Sequence, residues 1–291
     1  MEPILQILPP KTNQSRSHKF DKLNKHLFKP DFIYVIYGPC NSGKSVTLNH
    51  MITNKNFYKG VFKKVVIISP TILYDPSLRD LNNNDDILKI TSGLDNMDEI
   101  METIVELRQQ DMMDGNTGHM LLVFDDCLQY IHHNGFIAGW IPTFRHYSMS
   151  IIFTTQGFKK LPPIVRALAS GYLLFRTNNK KERVEITDEL AENFPNFQEL
   201  YARVTMKKYN FLFLDLKNCR MYENFTTLLY DSDNNVDLNS KLINDIAKLM
   251  KDNVELKTFA NNDHVLSVAK KHLTDHEYLK LLFYSLKSKY K

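Results

Sequence analysis

The sequence predicts an α/β fold in which a mostly parallel sheet is flanked by helices, and three observations carry that prediction. Short apolar runs bounded by turn residues recur along the chain and read as buried strands. Stretches of helical period stand between them, the order that builds a parallel sheet. Two of the runs end in groups suited to the ligand edge of such a sheet. Ile33–Tyr37 runs into a glycine-bearing loop, and Met120–Phe124 runs into Asp125 and Asp126.

The first of these units organises the chain. The eight residues after Tyr37 are Gly38, Pro39, Cys40, Asn41, Ser42, Gly43, Lys44 and Ser45, which fit G-x-x-x-x-G-K-[ST]. Val46–Ile52 then continues as a helix, so the motif sits in the strand–loop–helix context it requires. The glycines let successive N–H groups turn inward and cradle phosphate oxygens. The helix N-terminus adds a partial positive charge. This predicts a bound nucleoside triphosphate, ATP, with Lys44 on the β- and γ-phosphates and the Ser45 hydroxyl on Mg²⁺. An ordinary glycine turn is the alternative, and it leaves four matching positions and both flanks to coincidence.

In order, residues 1–30 form an arm. Pro9-Pro10 breaks an early helix, and Lys11, Arg16, Lys19, Lys22, Lys25 and Lys29 make it basic. It suits contact with nucleic acid or a neighbouring subunit, or is a solvated lead-in. After the first helix, Val65–Ile68 reads as a second strand, stopped by Pro70. Tyr74–Asp86 is loop-like, and Ile87–Ile90 is a short strand. Asn96–Met113 has a helical period closed by Asp114-Gly115-Asn116. The strand Met120–Phe124 follows. Asp125 at its end suits Mg²⁺, and Asp126 is placed to polarise an attacking water as general base. The alternative is a strand followed by a helix cap.

Gly135–His146 reads as a helix limited by Pro142, with Trp140 in the core. Ser148–Thr155 is a strand ending at Gln156, a polar residue able to sense a γ-phosphate or orient water; a turn residue is the alternative. A short helix through Arg166, a strand at Gly171–Phe175, and helices over 180–194 and 196–208 come next. Tyr209–Leu216 is a strand with Arg220–Phe225 as a hairpin edge. Beyond Thr226 the composition shifts: Ser232–Asn239 is a polar linker, and 240–252 and 264–291 are expected helices. The domain reading is therefore a basic arm over 1–30, an ATPase domain over 31–225 and a helical C-terminal appendage over 226–291.

Composition agrees with this reading. At 291 residues the chain is long enough for one large α/β domain, or one domain plus a small appendage, and 43% hydrophobic and 24% charged content are those of a globular protein. No apolar run is long enough to span a bilayer, and no secretory leader is expected. Cys40, Cys127 and Cys219 form no metal or disulfide pattern, which fits a reducing compartment. A net charge of +4 permits a polyanionic partner without demanding one.

Three stretches together resemble one family. The loop at Gly38–Ser45, the run His119–Asp126, and Phe144-Arg145-His146-Tyr147 through Thr154-Thr155-Gln156 occur in the order found in poxvirus-type genome-packaging ATPases of nucleocytoplasmic large DNA viruses, within the FtsK/HerA superfamily. The similarity continues through Leu161-Pro162-Pro163-Ile164-Val165-Arg166 and covers about residues 30–225. It implies a P-loop NTPase with a RecA-like (ASCE) core, a ring of identical subunits, and ATP-driven translocation of double-stranded DNA into a capsid. Capsid or portal-vertex proteins are then partners, and the host cytoplasm, with the virion, the place of action. By this resemblance Arg145 looks like an arginine finger acting on a neighbouring subunit, with Arg166 as the other candidate, and Gln156 like the polar strand-end residue. Asp126 stands where many relatives outside the virus group carry Glu. A helicase, a conjugation ATPase, a phage-assembly ATPase and a non-enzymatic nucleotide-binding scaffold are the competing readings. Lys44 together with Asp125 and Asp126 argues against the scaffold, since hydrolysis needs them and binding alone does not.

Overall fold

In a computed structural model describing residues 23, 25–232 and 236–237, the elements run β1 (Ile33–Tyr37), α1 (Lys44–Thr53), β2 (Lys64–Ile68), α2 (Arg79–Asn82), β3 (Ile87–Ile90), α3 (Met97–Met113), β4 (Met120–Asp125), α4 (Phe136–Trp140), β5 (Met149–Thr155), α5 (Pro163–Leu168), β6 (Gly171–Phe175), α6 (Lys180–Leu190), α7 (Phe197–Val204), β7 (Phe211–Asp215), β8 (Arg220–Glu223), β9 (Thr227–Asp231) and β10 (Val236–Asp237). The strands form one sheet in the order β10-β9-β8-β7-β6-β1-β5-β4-β2-β3. From β3 to β6 every pairing is parallel; from β6 through β10 every pairing is antiparallel.

The apolar runs are continuous because the central strands are buried on both faces. Along β1, Ile33, Val35 and Tyr37 point into one core with Leu122, Phe124, Ile151 and Phe153. Tyr34 and Ile36 point into the other, with Leu48, Met51 and Ile52 of α1. Phe124 and Phe153 stack with ring centroids 4.7 Å apart, tying β4 to β5. Trp140 lies in the first core, as expected.

The register sets the site. Tyr37 pairs with Thr155, and Asp125 pairs with Thr154. The carboxyl ends of β1, β5 and β4 are therefore level, with β5 between the loop-bearing strand and the acid-bearing strand.

Several expected boundaries move. The helix expected over 135–146 is α-helical only through Trp140; Ile141–Tyr147 is a 3₁₀ turn. Pro142 has no N–H for the α-helical ladder but suits the start of a tighter turn. Ser148 is not in the strand: its φ is 49°, a left-handed turn, and β5 starts at Met149. The helices over 180–194 and 196–208 stop at Leu190 and Val204. The loop-like Tyr74–Asp86 contains the 3₁₀ turn Pro76–Leu78 and α2.

The sheet also runs past residue 225, where the helical appendage was expected to begin. Thr227–Asp231 pairs with β8, and Val236–Asp237, inside the expected linker, pairs with β9. At the other end, Leu27 and Phe28 of the arm are buried, and Phe28 stacks on Tyr34 with centroids 4.8 Å apart. The helices expected over 240–252 and 264–291, and the arm before Leu23, lie outside the described residues.

Candidate active site

The phosphate loop takes the shape its sequence demands. Gly38 N–H donates to the Thr155 carbonyl at 3.1 Å, pinning the loop to β5. A Cβ on Gly38 would lie 2.5 Å from Ser42 Oγ and 2.8 Å from Phe175 Cβ, so only glycine fits. Gly43, which caps α1, has φ of 109°, a conformation costly for other residues. Asn41 also has a positive φ, 57°. Ser42 Oγ is buried and has no hydrogen-bond partner among the described residues. Lys44 is buried at 6% exposure, and its Nζ donates back to the Pro39 carbonyl at 3.2 Å. Ser45 follows in the first turn of α1.

The two carboxylates are held differently. Asp125 is buried. Its Oδ1 accepts from Thr154 Oγ1 at 2.7 Å and its Oδ2 from Ser69 Oγ at 2.8 Å. Burial pushes its pKa above the ordinary carboxylate range; the two hydroxyl donors oppose that shift, and Asp126 adds to it. Asp126 is half-buried with φ of 45°, a bend that turns it out of the strand line. Its N–H donates to Thr154 Oγ1 at 3.0 Å, and its Oδ2 accepts from Gln156 Nε2 at 3.0 Å. Thr154 thus fixes both acids. A cavity of about 180 Å³ opens beside Asp126, bordered also by Thr154, Gln156, Gly157 and Lys160.

The structure therefore gathers Lys44, Ser45, Asp125, Asp126 and Gln156 along the carboxyl edge of the parallel strands. It does not bring Arg145 there. Arg145 lies exposed in the 3₁₀ turn before β5, at the opposite edge, with its guanidinium carbon 5.4 Å from the Phe144 ring centroid. Among the described residues no carboxylate forms an ion pair with it. Arg166 is engaged: its Nη1 binds Glu189 and its Nε donates to the Leu161 carbonyl at 3.3 Å.

Sequence reasoning missed Ser69 and Thr154. Ser69 had a signal in its place at the end of the run Lys64–Ile68, beside β4. Thr154 was in view within Thr154-Thr155-Gln156 but was read only as strand.

Chemically, the site fits a nucleoside triphosphate. The loop offers an unpartnered hydroxyl at Ser42, and Lys44 adds a buried cation bonded to the loop at Pro39. Among the described residues no cluster of three or more His, Cys, Asp or Glu could hold a metal by itself. Mg²⁺ at nucleotide sites takes one or two protein ligands and completes its shell with phosphate and water. Ser45 and Asp125 are the two that fit.

Comparison with known proteins gives two positive results. The family described as Poxvirus A32 protein matches residues 17–191. Among solved structures, the genome-packaging NTPase B204 of Sulfolobus turreted icosahedral virus 2 in complex with AMP superposes with a TM-score of 0.52 at 21% identity, covering 68% of this chain and 98% of that one. The same protein in complex with ATP-gammaS gives 0.51 at 22% identity over 68% and 98%. B204, the DNA-packaging ATPase from Sulfolobus turreted icosahedral virus, gives 0.51 at 21% identity over the same shares. At this identity the likeness is one of fold. No curated protein matches the chain.

Proposed function

The chain belongs to the Poxvirus A32 protein family, and from that membership and the geometry of the site we infer that it is an ATP-hydrolysing motor that packages double-stranded viral DNA into the capsid. The observation that carries the hydrolytic part is the meeting of a complete phosphate loop with an oriented carboxylate. Asp126 is bent out of β4 and held by Gln156 at the same edge as Lys44. The packaging part rests on the family and on the fold shared with B204, itself described as a genome-packaging NTPase.

In this reading the N–H groups of Gly38–Ser45 hold the phosphates, and Lys44 exchanges its bond to the Pro39 carbonyl for the β- and γ-phosphates. Ser45 and Asp125 would hold Mg²⁺, which would supply positive charge to offset the negative charge that develops as the γ-phosphoryl group is transferred. Asp126 accepts the proton of a water whose oxygen attacks the γ-phosphorus, and ADP leaves with the electron pair of the broken P–O bond. Gln156 holds the carboxylate of Asp126 in line. Arg145 serves the site of a neighbouring subunit in a ring. Double-stranded DNA is the translocated partner, and capsid or portal-vertex proteins receive the motor at the site of virion assembly in the host cytoplasm. No helix among the described residues is long and apolar enough to cross a membrane.

The test is phosphate release by the full chain with ATP and Mg²⁺, with and without double-stranded DNA. Turnover should rise with DNA and vanish in Lys44→Ala, whose fold is checked by circular dichroism. Turnover surviving in a folded Lys44→Ala protein would remove the assignment.

A further inference from the structure

A second cavity, about 250 Å³, lies on the β6 side of the phosphate loop. One wall is the outer flank of the loop, from Pro39 to Ser42. The other is made by Arg176 and Asn178, leaving β6, and by the segment from Lys207 to Asn210 that enters β7. The volume is a little under that of a whole small-molecule site, about 300–1,000 Å³, as suits a space holding part of a ligand.

Tyr209 distinguishes this wall. Its φ is 69°, a left-handed conformation that a bulky residue seldom adopts and that clusters at ligand sites. It is 57% exposed, so burial of its ring does not explain the strain. The ring lies beside Gly43, where a Cβ would come within 3.4 Å of Tyr209 Cδ1, and hence beside the start of α1. Lys208 Nζ is 4.8 Å from the ring centroid, an exposed and flexible group over the π-face. Arg176 is exposed on the same cavity.

We propose that this cavity is the nucleoside subsite: the base stacks on Tyr209, with the guanidinium of Arg176 as a second planar wall, while the triphosphate reaches round into Gly38–Ser45. The proposal rests on the triphosphate-hydrolase reading above. The chemistry follows from the walls. Bases of every kind present a π-face to an aromatic ring, and an arginine stacks on planar groups. A base replaces Lys208 over the ring, since that side chain has solvent to return to. The pair Lys207-Lys208 next to an aromatic also suits a nucleic-acid strand. The position against the phosphate loop favours the nucleotide instead, and Lys207 already faces Glu223 at 3.8 Å.

The experiment compares ATP with inorganic tripolyphosphate, which lacks a nucleoside, by titration calorimetry on the full chain with Mg²⁺. Tyr209→Ala should weaken ATP about 5- to 150-fold, the worth of one stacked base, and change tripolyphosphate less than about twofold. Tyr209→Phe, which keeps the ring, should bind ATP within about twofold of the unsubstituted chain. Tyr209→Ala binding ATP normally, or losing ATP and tripolyphosphate in parallel, would overturn the subsite. ATP affinity intact with DNA-stimulated turnover lost would give the ring to the nucleic acid and also overturn it. If the unsubstituted chain binds neither ligand, the hydrolase reading itself fails, and the two failures are told apart.

Discussion

Gln156 Nε2 donates to Asp126 Oδ2 across 3.0 Å, joining the residues that follow the carboxyl ends of two neighbouring strands. Each is placed by its own strand: Asp126 by the bend after β4, Gln156 by the end of β5. Of the two oxygens on Asp126, one is occupied by this bond, and the residue borders the cavity. A half-buried carboxylate is thereby turned into an oriented one, and orientation is a large part of what general-base catalysis requires.

Asp126→Asn keeps the shape and removes the base. ATP turnover should fall at least about 10²-fold while Mg-ATP binding remains. Gln156→Ala removes only the restraint and should lower kcat less, about 10-fold, with ATP affinity unchanged. Phosphate-release kinetics beside calorimetric binding separate the two effects. A silent Asp126→Asn would move the base elsewhere.

Thr154 is the shared support of both acids. Thr154→Val keeps the volume but leaves the Asp126 N–H without its acceptor and Asp125 without one of its two donors. A fully buried donor left unpaired costs about 1–3 kcal/mol and this N–H is part-buried, so the loss should fall toward the lower end, and the urea midpoint should drop by that amount divided by the m-value. Thr154→Ser keeps the hydroxyl and should stay close to the original. Equal midpoints for Val and Ser would show that the hydroxyl bears no load.

Asp125 gives a pH-dependent prediction. Its folded pKa is raised, chiefly by burial, above the unfolded value of about 3.9. The folded state therefore binds the proton more tightly than the unfolded state. The associated stability is present at low pH and lost as pH rises through the folded pKa. With metal chelated, Asp125→Asn should melt higher than the unsubstituted chain at neutral pH, and the gap should close as pH falls through the folded pKa. Mg-ATP should reverse the order, because only the carboxylate gains from the cation. A lower melting temperature for Asp125→Asn at neutral pH in chelator would contradict the sign.

How much was legible in the sequence follows from what each signal depends on. The loop at Gly38–Ser45 is local: steric demands on Gly38 and Gly43 are written into neighbouring residues, and the structure repeats them. The acid pair was legible because the apolar run ending in Asp125-Asp126, a weak signal alone, follows a complete phosphate loop. The supports of that pair were not, because Ser69 and Thr154 reach Asp125 only once β2, β4 and β5 lie side by side. The antiparallel extension was read short for a similar reason. Thr227–Asp231 is only partly buried along most of its length, so its pattern is faint, and pairing with β8 supplies what the pattern lacks. Tyr209 was read as the first residue of a strand; its positive φ belongs to the turn that precedes Phe211 and leaves no mark on composition.

The last prediction concerns Arg145. It lies before the amino end of β5, while Lys44 and Asp126 lie at the carboxyl ends of β1 and β4, so the length of a strand separates it from its own site. Its guanidinium is exposed and, among the described residues, has no carboxylate partner, whereas Arg166, the other finger candidate, is held by Glu189. Burial, and after it the charge of Arg145, lowers the pKa of Lys217, while Asp215 and Asp31 oppose the shift. In a head-to-tail ring one subunit's flank faces the next subunit's nucleotide, and a planar, permanently charged donor fork suits a γ-phosphate. A finger of this kind is worth about 10³–10⁵ in rate. Arg145→Ala and Lys44→Ala should each be nearly inactive alone. Mixed, they should regain turnover, because some interfaces then set an intact Lys44 site against an intact Arg145. Arg166→Ala should instead lose stability and show no such rescue. If Arg145→Ala and Lys44→Ala both assemble, exchange subunits and recover nothing at any ratio, then Arg145 does not act across an interface.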